Sequence, residues 1–153
     1  MRATKILQAL IVLIGFGALA FMLWEPHLEG RNAHATTFEI YFKDPFLAYA
    51  YFASMPFFVA LCRGFKVLGA LGQDKPNWRA MAGDLRTIKF CALALIGLVA
   101  IGELFIVFGD SDDRAGGVVI GLLIVFGASA VAFAATVFGR VLQKAAESPA
   151  TQP

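Results

Sequence analysis

The chain alternates four long apolar runs with shorter polar stretches. The runs are Ile6–Trp24, Pro45–Cys62, Phe90–Gly109 and Ala115–Gly139, and they occupy most of the 153 residues. A helix crosses the hydrocarbon core of a bilayer in about 20 residues. The pattern therefore predicts an all-α integral membrane protein, an antiparallel four-helix bundle with little chain left over. Past Cys62 the apolar spacing continues through Phe65, Leu68 and Leu71. Before Phe90, Met81, Leu85 and Ile88 fall on one helical face, and Asn77 is a good N-cap. Gly72-Gln73-Asp74-Lys75-Pro76 between them are turn formers. The expected spans are 6–24, 45–71, 78–109 and 115–140, within one domain over 1–144. Helices two and three should thus project past the bilayer as a hairpin. Residues 145–153 read as a short disordered tail.

Charge supplies orientation. Arg2, Lys5, Arg63, Lys66, Lys75, Arg79, Arg86, Lys89, Arg140 and Lys144 fall on one side, against Arg31, Lys43 and Arg114 on the other. The positive-inside rule then places both termini and the hairpin in the cytoplasm. A membrane crossed several times is the expected location. Arg2, Lys5 and Ala18-Leu19-Ala20 resemble a secretory signal. The run continues through Phe21-Met22-Leu23-Trp24, so an uncleaved first helix is the expectation.

Hydrophobic residues make up 59% of the chain and charged residues 16%, which excludes a disordered protein. A net charge of +2 gives no argument for direct nucleic-acid binding. Cys62 and Cys91 stand alone at the inner ends of their helices and read as small core residues, not a redox or metal pair. His27 and His34, seven apart in the first loop, define no metal geometry. No metal or cofactor is expected. Thr37–Phe42 in that loop carries a weak strand signal, equally compatible with an interfacial segment.

Glu103 is the sharpest candidate for chemistry. It is the one acidic or basic residue well inside a span, about 9 Å below the end of helix three. A charge at that depth is costly, so it should face the bundle, protonated or hydrogen-bonded. The depth-matched hydroxyls are Tyr49, Tyr51 and Ser54 of helix two. A proton or cation site is the functional reading; a buried polar residue that orients packing is the commoner one. Pro56 predicts a bend in helix two, a gate only if the protein is a transporter. In helix four Ala128, Ala132 and Thr136 recur every four residues, as do Gly127, Ala135 and Gly139 around Val131. Such small residues suit close helix packing, within the bundle or in a homo-oligomer. Arg63, Lys66, Lys75, Arg79, Arg86 and Lys89 make the hairpin a candidate surface for lipid or a partner. Trp78 at its start reads as an interfacial anchor or a contact residue, the anchor being the commoner role.

Met55-Pro56-Phe57-Phe58, Ala60-Leu61, Phe65-Lys66-Val67-Leu68, Leu85–Ala92, the acidic turn Asp110–Asp113 and Gly121–Phe126 occur in an order and spacing that resemble the bacterial family called domain of unknown function 2975. The resemblance covers about Phe46 to Lys144. It implies a four-helix inner-membrane protein with no assigned activity and no catalytic residues. It also implies a small helix-turn-helix regulator as a partner, because family members are often encoded beside one. Many relatives carry a longer tail than Ala145–Pro153. The leading expectation is therefore a non-enzymatic membrane protein that acts by contact or regulation through its basic hairpin. The alternative is a small transporter or channel subunit that uses Glu103.

Overall fold

The computed structural model describes residues 2–28, 36, 38, 45–108 and 114–147. Four helices make up the described chain: α1 (Arg2–Leu28), α2 (Pro45–Leu71), α3 (Trp78–Phe108) and α4 (Arg114–Glu147). Each contains a stretch long and apolar enough to cross a bilayer. Helices suit that solvent because every backbone polar group is satisfied within the segment. The strand signal at 37–42, His34 and the acidic turn at 110–113 lie outside the described residues, apart from Phe38.

Each helix packs on its neighbour in the chain, and all three neighbouring pairs are antiparallel. Near one end of the α1–α2 pair, Gln8 Nε2 donates to the Phe65 carbonyl at 3.1 Å. Near the other, the Tyr51 hydroxyl donates to the Met22 carbonyl at 2.8 Å. Leu98 meets Tyr49 across α2–α3. Ile106, Glu103 and Leu85 of α3 face Gly117, Gly121 and Gly139 of α4 in that order. Both ends of the described chain and the α2–α3 turn therefore share one end of the molecule.

That end holds the hydrophobic core. Val67, Met81, Ile88 and Ala135 form a buried cluster, with Ala60, Ala70, Trp78, Leu85 and Leu142 packed around it. Met81, at 1% exposure, is the one large side chain fully buried among the described residues. Elsewhere the helices expose large apolar side chains such as Phe16, Phe105, Phe126 and Phe133. This is the expected surface of a chain solvated by lipid, where apolar burial between helices gains little.

The turn is built as its residues predict. Gly72 N–H donates to the Gly69 carbonyl and Gln73 N–H to the Ala70 carbonyl, each at 3.2 Å, closing α2. Asn77 Oδ1 accepts from Ala80 N–H at 3.1 Å and caps α3. Pro56 lies inside α2 without ending it. Trp78, half-buried, packs against the Met81 cluster. Two expectations need correction. Cys62 is exposed and Cys91 half-buried, both as free thiols; Cys62 is no core residue, because it faces away from the α3 packing surface. Ala145–Glu147 are helical, not tail, because Ala145 and Ala146 favour helix and α4 runs on to Glu147.

Candidate functional site

Two places carry polar groups with scope for function: the half of α2–α4 away from the α2–α3 turn, around Glu103, and the basic end around that turn.

The three hydroxyls expected near Glu103 do not reach it. Tyr49 donates to the Leu98 carbonyl at 2.5 Å, Tyr51 to Met22 of α1, and Ser54 to the Tyr51 carbonyl of its own helix at 2.7 Å. The cause is the rotation of α3. Gly102 is buried against the Tyr49 ring, and a methyl group in place of its hydrogen would come within 3.3 Å of Tyr49 Cε1. The missing side chain also opens the Leu98 carbonyl, one turn earlier, to the tyrosine hydroxyl. Tyr49 stacks further on Phe105, with ring centroids 6.0 Å apart and planes tilted by 55°. With Gly102 turned to α2, the next residue points about 100° around the helix. Glu103 therefore faces α4, not α2.

On α4 the carboxyl lies on Gly121, where even a methyl group would overlap it. Oε2 of Glu103 is buried with no hydrogen-bond partner among the described residues. Glycine at 121 is thus the residue that makes room for a carboxyl between two helices. The polar groups of α4 offer no help: Ser129 and Thr136 each donate to the carbonyl four residues earlier, at 2.7 Å. Ala128 and Ala132 of one small-residue series and Ala135 of the other are buried within the single chain. Among the described residues no group of three His, Cys, Asp or Glu side chains is placed to hold a metal.

At the basic end Arg63 is not a free cation. Its Nη1 lies 2.9 Å from Asp84 Oδ1, a bridge between α2 and α3 with side chains 42% and 20% exposed. Asp84 was not singled out in the sequence, although it stands about as far past the turn as Arg63 stands before it. Lys66, Lys75, Arg79 and Arg86 are exposed and Lys89 is half-buried. The Arg86 guanidinium lies 5.8 Å from the centroid of the Phe90 ring, within cation–π range. Arg79, Ala82, Gly83 and Arg86 of α3 line a groove of 230 Å³ with Gln143, Ala146 and Glu147 of α4.

Comparison with known proteins agrees with this architecture. The chain is 30% identical over 145 residues to the uncharacterized membrane protein YoaS of Bacillus subtilis (strain 168), covering 94% of this chain and 91% of the relative. No solved structure matches. A family described as protein of unknown function (DUF2975) matches residues 1–150. With the match reaching from α1 beyond the end of α4, this membrane protein belongs to the DUF2975 family.

Proposed function

We propose that the protein is non-enzymatic and acts by contact, presenting its basic end to a partner on the cytoplasmic side of a bacterial inner membrane. One observation carries the reading. At 27 and 31 residues, α2 and α3 are about 40 and 46 Å long, against about 30 Å of hydrocarbon. The surplus is a folded platform packed around Val67, Met81, Ile88 and Ala135, with Lys66 and Lys75 exposed on its surface. Packing of this kind is driven by water and is of little use inside lipid. A rigid basic platform suits an acidic face of a soluble protein, such as the small helix-turn-helix regulator implied by the family resemblance. The ten-to-three division of lysine and arginine supports the cytoplasmic orientation.

Transport through Glu103 has less support. A proton or cation path needs polar groups at several depths, and Tyr49, Tyr51 and Ser54 are each engaged with backbone carbonyls. Co-expression of the full chain with a helix-turn-helix protein encoded beside it tests the contact reading. Lys66→Glu with Lys75→Glu should abolish co-purification while the melting temperature in detergent stays unchanged. Undiminished co-purification of the doubly reversed chain would overturn the reading.

A further inference from the structure

We propose that the groove between the start of α3 and the end of α4 binds one phospholipid, recognised by a singly charged phosphodiester and by hydroxyls on its headgroup. Arg79 and Arg86 stand about two turns apart on one face of α3, and both line the groove. Between them Gly83 leaves the floor open, with no atom within 4 Å of where its Cβ would be. Gln143 adds a carboxamide from the facing wall. Whereas Arg63 is neutralised by Asp84, neither groove arginine has an ion-pair partner among the described residues. Two arginines and Glu147 leave the groove a net charge of about +1, which matches a phosphodiester monoanion held by charge-assisted hydrogen bonds.

Depth selects a lipid over a free anion. Phe90 opens the apolar run of α3, and Arg86 stands one turn before it, about 6 Å along the axis. The headgroup layer is about 5–7 Å thick on each side of the hydrocarbon, so Arg86 lies at phosphate level. Phe90 and Leu93, at four and seven residues from Arg86, share its face and are exposed, giving an acyl chain a path alongside. In the other direction Gly139 faces Leu85. Glu147, two turns beyond Gly139, therefore stands above the phosphate beside Arg79. A carboxylate there repels a second negative charge and accepts hydrogen bonds from headgroup hydroxyls. A glycerol-headed phospholipid satisfies all four groups.

The inference shares its orientation with the contact reading but involves different cations, so either can fail alone: co-purification reads Lys66 and Lys75, and retained lipid reads the groove. The full chain, purified from nanodiscs of phosphatidylcholine doped with phosphatidylglycerol, is examined by native mass spectrometry. Wild type should retain one phosphatidylglycerol. Arg79→Gln with Arg86→Gln should retain at least about tenfold less, the loss of one to two charge-assisted bonds. Lys66→Gln with Lys75→Gln, an equal change of charge, should retain as much as wild type. Gly83→Leu keeps both charges but fills the floor and should lose the lipid as well, which covers an arginine variant that folds poorly. Glu147→Gln should weaken the preference for phosphatidylglycerol over phosphatidic acid. Equal loss in the lysine variant, full retention in Gly83→Leu, or displacement by equimolar inorganic phosphate would overturn the proposal. So would a wild type without bound lipid whose arginine pair is needed only for capture of an acidic protein.

Discussion

Gly121→Ala places the Glu103 contact under direct test. A helical Gly→Ala change ordinarily stabilises by about 1 kcal/mol. Here the new methyl group overlaps the Glu103 carboxyl, coming 2.5 Å from Cδ and 3.2 Å from Cγ. The carboxyl must leave its place between the helices or push α4 away, and overpacking of this kind costs about 1–3 kcal/mol. The net effect in the wild-type background should be a loss of about 1 kcal/mol. Glu103→Ala alone should be mild, because one of the oxygens it removes is buried without a partner and such an oxygen carries a desolvation cost of its own. In the Glu103→Ala background the overlap is gone, and Gly121→Ala should stabilise by about 1 kcal/mol. The sign of one substitution thus reverses with the residue opposite, a coupling of about 2 kcal/mol, within the range for residues in contact. Unfolding of the four variants in mixed micelles measures the cycle. A Gly121→Ala effect of the same sign and size in both backgrounds would refute the facing of Glu103 and Gly121.

Other consequences are open to simpler measurements. Met81→Ala should cost about 2–5 kcal/mol, as for a fully buried methionine, and should melt the basic end first; hydrogen exchange on Val67, Leu85 and Ile88 should rise before that of the α1–α2 pair. Breaking the partly exposed Arg63–Asp84 bridge with Asp84→Asn should cost about 1 kcal/mol or less and matter less at high salt, and exchanging the two residues should recover most of the loss. With Cys62 and Cys91 replaced, an impermeant thiol reagent added to intact cells should label a cysteine at Asp112 and spare one at Lys75; the opposite pattern would reverse the orientation and remove the basis for cytoplasmic contact.

By itself the sequence determined the number of helices, the antiparallel hairpin of α2 and α3, its turn at Gly72–Pro76 and the capping of α3 by Asn77. Each of these is a local property. In lipid a backbone must satisfy its own hydrogen bonds, so an apolar run of sufficient length is a helix whatever lies beside it. The face made by Met81, Leu85 and Ile88 was legible for a different reason. That end of α3 carries polar residues on its other face, and periodicity there separates inside from outside. Nearer the middle of the spans this signal vanishes. Lipid and protein interior are equally apolar, so nothing in Phe90–Phe108 states which side of α3 meets α2. The tertiary structure decided that through one small residue. Gly102 admits the Tyr49 ring, α3 rotates accordingly, and Glu103 is carried to Gly121 on α4, away from the three hydroxyls that depth alone matched to it. The same kind of decision paired Arg63 with Asp84, because opposite charges level with each other on antiparallel helices meet only if both helices turn those faces together.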